Sequence, residues 1–223
     1  YIGSGIGGLN TVSRELEKMM AGGPRRVSPF FVPMIISNMA AGTVAIRYHA
    51  MGPSLPVVSA CATGTNSIGE AYRAIKDGYA DAIIAGGAEA SITPIAVAGF
   101  TNCMALCTSN DPDQASIPFD KRRSGFVIGE GAGIMVLEEY EHAKARGAKI
   151  YAEVTGYGNT CDAYHITAPQ PEAVASSRAI SLALEEAGIT EGKGLYINAH
   201  GTSTPMNDKV ETLAIKKALG DGA

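Results

Sequence analysis

Pro56-Val57-Val58-Ser59-Ala60-Cys61-Ala62-Thr63-Gly64-Thr65 changes character halfway along. Its first half is short, apolar and β-branched, which predicts a buried strand over 56–60. Its second half is built of small residues and leads into Ile68, Ala71, Tyr72 and Ile75. These fall at i, i+3, i+4 and i+7, one apolar stripe of an amphipathic helix, and Gly78 closes it. A strand that runs straight into a helix is the unit of layered α/β domains.

The alternation continues on both sides of this junction. Upstream, Gly3-Ser4-Gly5-Ile6-Gly7-Gly8 leaves no room for a strand before it and opens a helical stretch with Leu9, Val12, Leu16 and Met19. Gly22-Gly23-Pro24 ends that helix, Pro29-Phe30-Phe31-Val32-Pro33 reads as a proline-broken apolar turn, and 35–49 is again helical. Downstream, 82–85 and part of 131–138 read as strands, and a helix through 141–146 stops at Gly147. A second strand series begins at 150–155, Ile180, Ala183, Leu184 and Ala187 mark a helix capped by Gly188, and 195–199 is a further strand. A change of composition near Lys149 divides the chain into 1–149 and 150–223.

Composition narrows the function classes. The net charge of −4 argues against a broadly basic nucleic-acid binder, and 46% hydrophobic with 18% charged residues excludes a disordered chain. No apolar run approaches the roughly 20 residues of a membrane span. The four cysteines, Cys61, Cys103, Cys107 and Cys161, have neither the spacing of a zinc site with the histidines nor that of a secreted disulfide framework, so no metal and a reducing compartment are expected. The chain begins Tyr1-Ile2-Gly3 and stops at Gly220-Asp221-Gly222-Ala223, and both ends read as cut.

Two residues stand where chemistry gathers. Cys61 lies at the strand-to-helix junction, where helix-terminal N–H groups and the positive end of the dipole favour a thiolate and offer an oxyanion site. His200 follows the strand 195–199 within Asn198-Ala199-His200-Gly201-Thr202-Ser203-Thr204-Pro205. A strand end is where an open α/β sheet presents ligand-contacting groups, and the neighbouring hydroxyls suit a polar substrate arm. Asp208 and Glu211 share one helix face, either to hold a catalytic side chain or to complement the helix dipole. Gly3, Gly5 and Gly8 match G-x-G-x-x-G, yet no acidic ribose partner follows about 20 residues on, so a dinucleotide site is set aside. Arg25-Arg26 and Lys121-Arg122-Arg123 read as solvated basic spots unless the partner is an acidic protein.

Val58-Ser59-Ala60-Cys61-Ala62-Thr63-Gly64 resembles the nucleophile motif of β-ketoacyl-acyl-carrier-protein synthases, and the His200 segment with Asn207-Asp208 resembles their histidine motif. Pro118-Phe119-Asp120 through Gly125-Phe126, then Gly129-Glu130-Gly131-Ala132-Gly133 and Val136-Leu137-Glu138, resemble further segments of that family. The likeness runs through essentially the whole chain and is strongest to the type II elongating synthases of bacterial fatty-acid synthesis.

The resemblance implies an α/β, thiolase-like, five-layered α-β-α-β-α sandwich truncated at both ends. Residues 1–149 would be most of the N-terminal half and 150–223 the start of the C-terminal half. It implies a cytoplasmic acyltransferase, a homodimer, that works with acyl carrier protein and needs no cofactor beyond the carrier's phosphopantetheine. Cys61 would take the acyl chain, and His200 would assist malonyl decarboxylation. Thr167, Thr202 and Thr204 match positions on the phosphopantetheine arm, Ile6 and Phe100 match the acyl pocket, Arg25 and Arg26 match the carrier-docking patch, and Asp208 and Glu211 would support the site. The family's catalytic lysine and second histidine lie beyond Asp208 and are not found here, so the chain alone is expected to be inactive in condensation. A polyketide ketosynthase is an alternative. A chain-length-factor-like partner subunit is another, against which the presence of Cys61 argues.

Overall fold

The computed structural model describes residues 1–220, and two compact units divide them: 1–99 with 128–152, and 100–127 with the chain from 153 onward. Within the last segment of the sequence reading, 150–223, the final three residues lie outside the described ones.

In the first unit a three-stranded sheet has the order β1 (Ile2–Gly3), β2 (Ala82–Glu89) and β3 (Gly131–Glu138). β1 pairs parallel with β2, Ile2 opposite Gly86, whereas β3 runs antiparallel to β2 from Glu138 opposite Ala82 to Gly131 opposite Glu89. The connection from β2 to β3 runs through 100–127, which belong to the second unit. β1 corrects the expectation that no strand precedes the glycine cluster. Tyr1 N donates to the Ile84 carbonyl at 2.7 Å, in line with the β1–β2 register.

Helices α1 (Leu9–Gly22), α2 (Phe31–Ile35), α3 (Met39–Tyr48) and α4 (Thr63–Lys76) belong to this unit. α1 stops at Gly23, whose φ of 79° suits glycine, and the buried Glu15 ties it to the next turn by accepting from Ser28 N and Lys18 Nζ, both at 2.7 Å. The Lys18 hydrogen bond, followed by that from Ser28, holds the Glu15 carboxyl below the usual carboxylate range. The apolar turn 29–33 enters α2, where Pro33 sits in the first helical turn and needs no intrahelical donor. α4 lies on β2 and β3 through Ala71, Ala74, Ile83, Ala85 and Leu137, with Ile68, Tyr72 and Ile75 packed around them.

The expected strand 56–60 is not one. Pro56 has no N–H to give, and Ser59 N donates to Thr63 Oγ1 at 2.9 Å, so the segment is spent on entering α4 instead of on a ladder.

The short helix α5 (Pro94–Asn102) contains the division between the units. The second unit holds α6 (Pro112–Ala115), α8 (Val174–Ala187) and α9 (Pro205–Leu219), while α7 (Tyr140–Ala145) follows β3 in the first. Asp111 caps α6, and Gly188, at φ 67°, ends α8. Residues 150–155 and 195–199, expected as strands, carry no ladder among the described residues. Past 155 the chain lies on a helix: a Cβ at Gly156 would stand 2.1 Å from the Ala183 carbonyl oxygen, and one at Gly158 would stand 1.9 Å from that of Ala179. Segment 195–199 has strand composition, but its side-chain pattern cannot supply a neighbouring strand. Among the described residues no helix is long and apolar enough to cross a membrane.

β3 is locked to α7 by Glu138, which accepts a paired contact from Arg146 and stands 2.6 Å from His142 Nδ1. The Arg146 hydrogen bonds lead in lowering the Glu138 carboxyl from 4.5 to about 2. A carboxyl held below its unfolded value stabilises the fold above that value and loses the contribution as pH falls through the folded value. Glu138→Gln is therefore expected to melt earlier than the unchanged protein near neutrality. The gap should close as pH drops from 4.5 to about 2, a window set by those two values. Thermal unfolding at several pH values reads this directly, and a gap that stayed constant would contradict it.

Candidate active site

Cys61 sits in a single 3-10 turn, Ala60–Ala62, at the N-terminal end of α4, and it is exposed. The residue before it, Ala60, has φ 49°, a left-handed conformation that costs a non-glycine residue roughly 1–2 kcal/mol. That bend turns the thiol out at the head of the helix. Ser59 is fixed from two sides, its N–H on Thr63 Oγ1 and its Oγ accepting from Asn66 Nδ2 at 3.0 Å. The first turn of α4 carries no acidic residue, and Arg73 and Lys76 occupy its last turn. The field at the thiol is thus that of the helix N-terminus, unopposed by a carboxylate on the same turn.

The glycine cluster serves this turn by close backbone approach. A Cβ at Gly3 would stand 2.0 Å from the Val57 carbonyl oxygen, one at Gly5 3.0 Å from that of Ala60, and one at Gly8 2.3 Å from that of Met34. Main chain fills the space a pyrophosphate would need. Ile6, 45% exposed, donates its N–H to Glu89 Oε2 at 3.0 Å. Arg25 and Arg26 lie exposed on the 3-10 turn Pro24–Arg26 after α1.

In the second unit, His200 is presented by a loop whose first two amides are held by Glu211. Glu211 Oε1 accepts from His200 N at 2.6 Å and Oε2 from Gly201 N at 2.8 Å. The hydroxyls of Thr202 and Thr204 are 2.8 Å apart, and Thr204 caps α9 by accepting from Asn207 N. Asp208, 1% exposed, accepts from Phe119 N at 2.7 Å and faces Arg123 Nε at 3.4 Å. Glu211 therefore holds the histidine loop by its amides, and Asp208 holds the adjoining 117–125 turn. Asp208 also stands in the first turn of α9, where a carboxylate complements the helix dipole.

Three contributors escaped the sequence reading. Arg123, counted within a solvated basic run, is only 18% exposed; it spans the Thr204 carbonyl at 3.1 Å, that of Pro205 at 2.7 Å and that of Asp120 at 3.0 Å. Its neighbour Arg122 does pair at the surface, with Asp120, and lowers that carboxyl well below its ordinary range. Ser203 is fully buried at φ 63°, accepting from Ile117 N at its hydroxyl and from Gly125 N at its carbonyl. Phe119, at φ 65°, sets its ring beside Gly201, where a Cβ would come within 3.3 Å. A serine or phenylalanine in the left-handed region leaves no mark on periodicity, whereas Gly201 was a usable signal.

Thr167 is exposed on a loop where its own N–H and that of Ala168 donate to His165 Nδ1, at 3.1 and 3.0 Å. Phe100 packs edge-to-face with Phe126 at 5.3 Å. Of the other thiols, Cys107 is lowered from its ordinary value by a hydrogen bond from Ser124 Oγ, then by one from Ser109 N.

Residues 1–143 match the model of the β-ketoacyl synthase N-terminal domain, and 151–223 match that of its C-terminal domain. The 3-oxoacyl-[acyl-carrier-protein] synthase 2 of Staphylococcus aureus is 56% identical over all 223 residues, which are 55% of its length. That of a Synechocystis species is 55% identical over the same span, 54% of its length. The chain thus spans about half the length of the curated relatives it matches. Among solved structures, a type II polyketide ketosynthase in complex with its acyl-carrier protein superimposes with a TM-score of 0.92. It is 36% identical, across the whole of this chain and 57% of that one. These matches give a thiolase-like architecture, and the chain belongs to the β-ketoacyl synthase family.

Proposed function

We propose that the protein to which this chain belongs elongates fatty acids by decarboxylative Claisen condensation on acyl carrier protein. The observation that carries the reading is Cys61, exposed at the head of α4 behind a left-handed Ala60. The Cys61 thiolate attacks the thioester of an acyl carrier protein, forming the acyl–sulfur bond and releasing the phosphopantetheine thiol. Amides of the first turn of α4 meet the developing oxyanion. Malonyl carrier protein then loses CO₂, and the C–C bonding pair becomes an enolate that His200 stabilises. That carbanion attacks the Cys61 thioester, forming the new C–C bond and returning the sulfur as thiolate. The product is 3-oxoacyl carrier protein.

Thr202 and Thr204 present adjacent hydroxyls for the pantetheine arm, joined by Thr167. Ile6 and Phe100 line the acyl chain's path, and Arg25 and Arg26 meet the acidic carrier. Glu211 fixes the loop that carries His200, and Asp208 supports it through the adjoining 117–125 turn. No cofactor enters beyond the carrier's own arm. The protein is placed in the cytoplasm, as a homodimer. A polyketide extension on the same site is the second reading, favoured by the ketosynthase neighbour described above.

The test is acylation followed by peptide mapping. The full-length protein incubated with acyl carrier protein bearing a fatty acyl chain should carry the acyl group on Cys61 alone. An adduct on Cys103, Cys107 or Cys161 would overturn the assignment.

A further inference from the structure

We infer that Glu89 is a positioning residue that sets which acyl chains Cys61 accepts, through the Ser4–Gly7 loop. This rests on the proposed role of Ile6 beside an acylated Cys61 and adds a determinant to it.

Glu89 ends β2, and its carboxylate is shared between two neighbouring stretches of chain. Oε1 accepts from Ser4 Oγ at 3.0 Å and from the buried Ser91 Oγ at 2.9 Å. Oε2 accepts from Ile6 N at 3.0 Å. Ser4 Oγ in turn accepts from Gly7 N at 3.0 Å, so the loop carrying Ile6 is gripped at three successive points. Between those points lies Gly5, where a Cβ would stand 3.0 Å from Glu89 Oε2 and equally 3.0 Å from the Ala60 carbonyl oxygen. The loop is thus squeezed between the carboxylate and the strained residue that turns Cys61 outward. Ile6 remains 45% exposed, so its side chain is held by its backbone and not by packing. A group positioned only through its amide moves when the acceptor of that amide is removed.

The clamp needs two acceptor oxygens. In Glu89→Gln the amide oxygen can keep Ser4 and Ser91, but its NH₂ then faces Ile6 N–H, donor against donor. In Ser4→Ala the carboxylate survives, while the Ser4 and Gly7 contacts are lost.

The experiment uses the full-length protein and measures the rate of Cys61 acylation from butyryl- and dodecanoyl-carrier protein by intact-mass spectrometry. Iodoacetamide labelling of Cys61 reports the thiol itself. For Glu89→Gln the dodecanoyl rate is expected to fall about tenfold relative to the butyryl rate, because only the longer chain extends past Ile6 and a lost apolar fit there is worth about that much. Iodoacetamide labelling should stay within about twofold of the unchanged protein. Ser4→Ala should show the same chain-length bias at smaller size, and it stands as the test if Glu89→Gln does not fold. Equal loss for both chains, parallel loss of iodoacetamide labelling, or no bias in either variant overturns the inference. Failure of the unchanged protein to acylate Cys61 is a different result: it removes the underlying reading, and this inference with it.

Discussion

Serine at position 61 is expected to leave the full-length protein unable to condense, with turnover down roughly a thousandfold or more, as for other nucleophile replacements. The helix terminus that favours a thiolate cannot bring a hydroxyl, far weaker as an acid, to comparable ionisation. Alanine at position 200 should divide the reaction differently. Its acyl transfer to Cys61 is expected to survive largely intact, because α4 and not the imidazole activates the thiol, while malonyl decarboxylation is lost. Single-turnover acylation and CO₂ release, measured separately, distinguish the two. A His200→Ala protein that could no longer be acylated would make His200 the base for Cys61, as in cysteine hydrolases.

The second large effect is one of fold. Gly3→Ala brings a Cβ to 2.0 Å from the Val57 carbonyl oxygen and 2.4 Å from Thr63 Cγ2, on either side of the nucleophile turn. Backbone cannot swing aside as a flexible side chain does, so the cost is expected at about 3 kcal/mol or more. For a chain of this length that corresponds to roughly 6–12 °C in Tm. Gly99→Ala is the contrast: this glycine lies in α5 with nothing within 4 Å of an added Cβ, and helix propensity predicts a gain of up to about 1 kcal/mol. Similar losses for both substitutions would remove the steric explanation.

The longer amphipathic helices were legible in the sequence because their signals are local, whereas α2, α5 and α6, short and without a polar–apolar period, were not. The stripe from Ile68 to Ile75, Gly23 after α1 and Gly188 after α8 all stand where the periodicity and cap chemistry place them. Strands were legible only where a partner exists. Residues 82–85 and 131–138 pair with each other, whereas 56–60, 150–155 and 195–199 have equal apolar character and, among the described residues, no ladder. A side-chain pattern states what a segment would bury, not what lies alongside it. The same limit divides the site. Cys61 and His200 announce themselves by motif and by neighbouring small and hydroxyl residues. Arg123 and Glu89 act on backbone amides and carbonyls remote in sequence, and no spacing rule reaches across 81 residues from Arg123 to the Thr204 carbonyl or 83 from Glu89 to Ile6 N.

The seat of the nucleophile is made largely of alanine and glycine: Ala71, Ala74 and Ala85 at the contact of α4 with β2, and Gly64 against Gly87 beneath the first helical turn. Such residues have no side-chain torsions to lose on folding, so burying them carries almost no rotamer entropy. They also have none to explore afterwards. Ile83 and Leu137 keep rotamers of their own at this contact, but beneath the first turn, where Gly64 meets Gly87, a disturbance can be answered only by moving the main chain. The thiol therefore rides on a mount without play. Heating or pressure should leave its bearing unchanged until the helix lifts from the sheet as a whole.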